Sequence, residues 1–187
     1  MVPIQLLWLN LVTDALPALA LGMEPVEADV MKQRPRSANQ SLFTRDFSAS
    51  MVFYGVLVGA VTLLAYFIGE YVLSDSDLAD QTACTMSFAT LVFCELSRAF
   101  AVRSEDRSIF QIGVFSNKHM NKAFAVGMCM QLGVLLIPSL QRIFHVTNLN
   151  STEWTVVICL SLMPLLVSEI TKALRRVKHA AYLEHAK

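Results

Sequence analysis

Charge is what this sequence has least of. Charged residues make up 16% of the 187, whereas soluble domains carry about 25%. The 15 basic and 15 acidic side chains cancel to a formal net charge of zero, so no basic face for nucleic acid is expected. Cysteine is equally uninformative as a framework. Cys84, Cys94, Cys129 and Cys159 all fall inside apolar runs, with no CxxC and no histidine pair nearby, which argues against disulfide staples or a zinc site. The first apolar segment has no basic region before it and no small-residue cleavage site after it, so it does not read as a removable signal peptide.

Apolar sequence, by contrast, is abundant. Hydrophobic residues are 55% of the chain and the mean hydropathy is +0.50, with the charges segregated from the apolar stretches. A hydrocarbon core about 30 Å thick needs about 20 apolar helical residues to cross it. Five segments qualify: Pro3–Leu21, Ser48–Leu73, Gln81–Val102, Lys122–Ile143 and Glu153–Leu174. Backbone groups in lipid find no water, so these runs are expected as helices. Strands of an outer-membrane barrel would alternate over about 10 residues, which these do not. The expected fold is therefore all-α, a polytopic bundle of five transmembrane helices forming one domain over residues 1–187. No internal repeat or low-complexity tract is visible.

Every basic residue except Arg98 and Arg142 lies in one of three places. These are the segment 22–47 (Lys32, Arg34, Arg36, Arg45), the segment 103–121 with Lys122 at its edge (Arg103, Arg107, Lys118), and the end of the chain from Lys172, with its tail at 175–187. The positive-inside rule assigns those segments to the cytoplasm and the N-terminus to the outside. An odd number of spans starting outside without a targeting sequence reads as a fragment of something larger.

One constellation carries chemistry. In the first span Asn10, Thr13 and Asp14 stand at i, i+3 and i+4, which puts them on one face of an α-helix. Asp14 falls roughly 18 Å into the membrane. An ionisable group there costs at least ~2.5–3.5 kcal/mol, so it faces a partner, a cavity or an ion. Pro17, three residues on, cannot donate the helical hydrogen bond and crowds the preceding turn, freeing carbonyls near Asp14. Oxygen ligands at such a disturbed helix suit a hard cation such as Ca²⁺. The alternative is that Asn10 and Thr13 bond to neighbouring helices and Asp14 pairs with a lysine.

The run Gln5–Pro25, QLLWLNLVTDALPALALGMEP, resembles the sixth transmembrane helix of P-type Ca²⁺-transporting ATPases. The following Met31 and Arg34-Pro35-Arg36 resemble that family's next cytoplasmic loop. The resemblance implies that Asn10, Thr13 and Asp14 are ligands of the transported ion. It also departs from the family, whose animal members often have Gly-Pro where this chain has Ala15-Leu16, so less unwinding is expected here. The stretch Thr90–Phe100, TLVFCELSRAF, resembles the eighth helix of the same pumps, which implies a ligand role for Glu95. Counted from Gln81, Glu95 lies roughly 21 Å deep, a depth similar to that of Asp14. Arg98 at i+3 could instead pair with Glu95, or snorkel to the surface and leave it available.

Smaller features are read structurally. Gly55 and Gly59 form a small-xxx-small pair suited to a close helix contact, and the resemblance suggests a fifth pump helix as its partner. Gln131 is expected in an interhelical hydrogen bond, Glu70 and Glu169 solvated near the surfaces, and Pro138 and Pro164 at kinks.

The resemblance covers helices six to ten of a ten-helix pump. It implies that ATP and Mg²⁺ act only through domains absent from this chain, and that the segment after Glu24 is a platform for the pump's phosphorylation domain. Partners would then be the remaining transmembrane helices, that domain and the lipid bilayer. A bacterial plasma membrane is the expected location. The alternative function is a stand-alone structural or partner-binding membrane protein derived from such a pump.

Overall fold

The computed structural model describes residues 2–24, 43–73, 79–103, 108–113 and 115–185, with side chains in the last helix described as far as Leu174. The segment 25–42, with Met31 and the Arg34-Pro35-Arg36 motif, lies outside the described residues. Among the described residues all regular structure is helical, in the order α1 (Pro3–Leu9), a π-helical turn (Asn10–Ala15), α2 (Leu16–Leu21), α3 (Arg45–Ile68) ending in a second π-helical turn (Gly69–Leu73), α4 (Ala79–Ala101), α5 (Ile109–Ile112), α6 (Lys118–Leu136), α7 (Pro138–Phe144) and α8 (Ser151–His185).

Three of the five expected spans are long and apolar enough to cross a membrane on their own: Pro3–Leu21, Phe47–Leu73 and Ser151–Leu174. The fourth expected span is not one straight helix. α6 and α7 meet at 88°, because the ring of Pro138 disfavours a helical conformation at the residue before it. Ile137 is accordingly extended, at φ −89° and ψ 117°. The break is tidy, since the Gln141 amide donates to the Leu135 carbonyl at 2.6 Å, satisfying one of the orphan acceptors of a helix end. Pro164, in contrast, sits inside α8, which runs on without interruption.

The third expected span, α4, is long enough at 23 residues but does not reach the same apolarity. Its position explains this. Fifteen of its 23 residues are buried, because it packs against α3, α6, α8 and the first π-helical turn. A helix screened from lipid by protein does not need a fully apolar surface, and between membrane helices polar contacts serve as glue. Ser97 Oγ donates to the Ser161 carbonyl at 3.1 Å, and Thr85 Oγ1 accepts from the Thr147 N–H at 3.0 Å. The apolar bulk goes outward instead: Phe53, Val56, Leu63 and Phe67 of α3 are all exposed.

Two glycines are needed where helices touch. A Cβ on Gly69 would lie 2.8 Å from the Ala83 Cα, and one on Gly127 would lie 2.9 Å from Leu96 Cδ2 and 3.5 Å from Val12 Cγ1. Gly127 is thus the point where α6, α4 and the π-helical turn converge. The Gly55 and Gly59 pair behaves differently, with nothing within 4 Å of either added Cβ.

Candidate cation site

The first π-helical turn spans Asn10–Ala15 and therefore contains all three polar residues singled out in the first span. Pro17 accounts for its position. Lacking an N–H, Pro17 cannot bond the Thr13 carbonyl, and its ring crowds that turn. The chain answers by widening the turn, an adjustment that recurs at functional sites. It does not unwind: Ala15 and Leu16 keep right-handed helical angles, φ −67°, ψ −47° and φ −68°, ψ −50°. A side chain at position 15 is at ease in that geometry, whereas glycine would be needed only for a more strongly distorted backbone.

Asn10 and Asp14 are both exposed, while Thr13 is buried at 6% exposure. The Thr13 hydroxyl donates to the Leu9 carbonyl at 2.6 Å and lies 3.4 Å from Asp14 Oδ1. Asn10 and Asp14 therefore present an amide and a carboxylate to the outer face of this helix. Thr13 is turned toward the bundle and holds the widened turn to the one before it.

Glu95 comes from α4, which packs directly against the turn. Arg98 is not a tight partner for Glu95. Their closest approach is 3.9 Å, with side chains 22% and 33% exposed respectively, and the guanidinium also sits 5.2 Å from the centre of the Tyr54 ring. An ion pair at that distance lacks the geometry of a charge-assisted hydrogen bond, so Glu95 retains acceptor capacity.

No group of three or more His, Cys, Asp or Glu side chains able to hold a metal occurs among the described residues. The acidic groups here are two, Asp14 and Glu95, supplemented by Asn10 and the Thr13 hydroxyl. A Ca²⁺ ion takes 6–8 oxygens, a number these four side chains would reach only with both carboxylates bidentate.

Other polar residues have structural partners. Gln131, fully buried, accepts from the Trp8 indole N–H at 3.0 Å, the interhelical bond expected of it. Glu169 is not solvated as expected. It accepts from Ser108 Oγ and, at 3.3 Å, from the Ile109 N–H, and it lies 3.4 Å from Lys172 Nζ. Glu70 also departs from expectation, since its Oε2 is buried and finds no hydrogen-bond donor among the described residues. The close seat of neighbouring Gly69 on Ala83 draws this end of α3 onto α4.

The residues that sequence reasoning missed lie at the far end of α2. Arg103 reads as a topology charge, yet its side chain is 1% exposed and forks onto the Glu24 carboxylate. Nε lies 3.1 Å from both carboxylate oxygens and Nη2 lies 2.6 Å from Oε1. Burial acts to raise the Glu24 pKa, but hydrogen bonds from Arg103 and Asn117 and the Arg103 charge hold it below its ordinary value. Asn117 was legible as a helix N-cap: its Oδ1 accepts from the His119 and Met120 N–H groups. The long-range pairing of Glu24 with Arg103 leaves no signal in a single sequence.

A model of the family described as "Cation transporting ATPase, C-terminus" matches residues 1–174. The chain is 40% identical over 186 residues to "Calcium-transporting ATPase 1" of Bacillus cereus, covering 93% of this chain and 21% of that protein. It is 42% identical over 164 residues to the "Calcium-transporting ATPase" of Bacillus subtilis, covering 88% and 18%. Over 174 residues it is 30% identical to "Calcium-transporting ATPase type 2C member 1" of Mus musculus, covering 92% and 18%. The chain thus spans about one fifth of the length of the curated relatives it matches.

Proposed function

Because this chain belongs to the cation-transporting ATPase C-terminal family, and so to integral membrane proteins, we propose that it forms part of the ion pathway of an ATP-driven calcium pump. Asn10, Thr13, Asp14 and Glu95 would supply part of the site for the transported Ca²⁺. The observation that carries this reading is the π-helical turn Asn10–Ala15, which presents Asn10 and Asp14 outward and packs against α4, the helix that carries Glu95. Further ligands would come from transmembrane helices beyond this chain, packed on the open faces of α1–α2 and of α3 around Gly55 and Gly59.

ATP and Mg²⁺ would act through other domains of the pump. Phosphorylation there would shift the equilibrium between two arrangements of these helices, and an ion that binds one arrangement more tightly is released as the other is populated. The carboxylates supply the charge on which Ca²⁺ affinity depends. The distribution of basic residues supports an outside N-terminus and a cytoplasmic C-terminus, and the two Bacillus relatives support a bacterial plasma membrane as the location. The segment after Glu24 would face the phosphorylation domain.

The test is Asp14→Asn in the native polypeptide that contains this chain. Calcium-dependent phosphorylation by ATP should be lost while the protein still inserts. Calcium transport of near-normal affinity by Asp14→Asn would overturn the site.

A further inference from the structure

The helix that bears Asp14 and the helix that bears Glu95 end at the same guanidinium. Glu24 follows α2, roughly 15 Å along the chain axis from Asp14, and Arg103 follows α4, roughly 12 Å beyond Glu95. Arg103 grips both oxygens of Glu24 and also donates to the Gly113 carbonyl at 3.1 Å and to Ser116 Oγ at 2.6 Å. Asn117 completes the knot. Its Nδ2 donates to the Ala20 carbonyl at 3.2 Å and to Glu24 Oε2 at 2.5 Å, while its Oδ1 caps α6. The Arg103 side chain is 1% exposed and Asn117 is 3% exposed, so the joint is shielded from water, where such pairs are weak.

A fork of this kind fixes direction as well as distance. Planar bidentate contact adds geometric specificity that a lysine ammonium cannot reproduce. From short turns at 22–24 and 102–103 beside the joint, α2 and α4 run to the candidate cation site, and the first chain widens only at the π-helical turn itself. A slip of α2 along α4 at the joint would therefore carry Asp14 past Glu95.

From this geometry we infer that Glu24, Arg103 and Asn117 are positioning residues for the cation site, which set the axial register of the π-helical turn against α4. The inference rests on the proposed function. A second contact offers a control. Lys172 of α8 donates to the Ala101 carbonyl at 2.7 Å and lies 3.4 Å from Glu169 of its own helix, so it also holds the end of α4, through contacts that do not involve α2.

The experiment is equilibrium ⁴⁵Ca²⁺ binding to the native polypeptide containing this chain, purified in detergent, with half-saturating concentration and stoichiometry read separately. Glu24→Gln and Arg103→Lys should each raise the half-saturating concentration about tenfold, within the usual range of site-to-site coupling, at unchanged stoichiometry. Lys172→Met should leave it unchanged even where it lowers the melting temperature. Should Glu24→Gln fail to accumulate in membranes, Arg103→Lys, which keeps the charge and loses the fork, reads the same quantity. Unchanged affinity in Arg103→Lys, with binding abolished in Asp14→Asn, would overturn the positioning role and leave the cation site standing. An equal loss of affinity in Lys172→Met would also overturn it, as a merely structural effect. Normal binding by Asp14→Asn would remove the site itself.

Discussion

The Trp8 indole nitrogen donates to Gln131 Oε1 at 3.0 Å, joining α1 to α6 across the buried interior, while Gln131 Nε2 finds no acceptor among the described residues. Half of this amide is therefore satisfied and half is not. A buried polar group left without a partner costs about 1–3 kcal/mol, whereas replacing both partners with apolar groups of similar shape is close to neutral. Trp8→Phe alone should lower stability in detergent by about 1–3 kcal/mol, leaving the whole Gln131 amide orphaned. The double substitution Trp8→Phe with Gln131→Met should recover most of that loss. Additive losses in a double-mutant cycle of melting temperatures would contradict this pairing.

The glycines divide by what stands opposite them. At Gly69 an added Cβ meets the Ala83 backbone at 2.8 Å, which only a backbone shift can relieve, whereas at Gly127 the nearest atom is the mobile Cδ2 of Leu96 at 2.9 Å. Overpacking of this kind costs about 1–3 kcal/mol. Gly69→Ala should fall at the upper end of that range and Gly127→Ala at the lower end, while Gly55→Ala should leave the contacts within this chain undisturbed. Equal thermal stability of Gly69→Ala and wild type would show that α3 and α4 do not meet as described.

These glycines also mark what the sequence could and could not disclose. Helical periods and apolar runs placed Pro3–Leu21, Phe47–Leu73 and Ser151–Leu174 within one or two residues, because lipid demands about 20 apolar residues whatever the neighbours are. The same reasoning read α4 by length and could not see that it is wrapped by protein, the reason its surface is less apolar. Pro17 announced a disturbance near Asp14, and its form as a widened turn followed from the local chain. The 88° bend at Ile137 was encoded by Pro138 but underrated as a kink. Glu24 and Arg103 are 79 residues apart, a separation at which pairing is decided by the whole bundle.

The pH dependence of the α2–α4 joint follows from its carboxylate. Glu24 titrates below its ordinary value when folded, so its stabilisation is fully present above the unfolded pKa of about 4.3 and is lost as pH falls through the lower folded pKa. The stability difference between wild type and Glu24→Gln should thus be constant from neutral pH down to about pH 5, then shrink under stronger acid. Melting curves of both proteins across that range check this, and a difference that grew on acidification would have the wrong sign.

The last prediction separates Glu95 as an ion ligand from Glu95 as a counter-charge for Arg98. The two side chains approach only to 3.9 Å, and in the same position the guanidinium lies 5.2 Å over the Tyr54 ring. Such an arrangement of cation over ring is worth about 0.5–1 kcal/mol when partly exposed, comparable to a loose exposed ion pair. Arg98 can therefore stay on Tyr54 when Glu95 turns toward a cation beside Asp14. On this account Glu95→Gln, which removes a full ligand charge, should weaken calcium binding in the native polypeptide by at least about tenfold, or about 1.4 kcal/mol. Arg98→Gln should change it less than about threefold, since the pair it breaks was loose at the outset. If the order were reversed, with Arg98→Gln the more damaging, the salt bridge would be the function of Glu95, and Asp14 with Asn10 would carry the site from this chain without it.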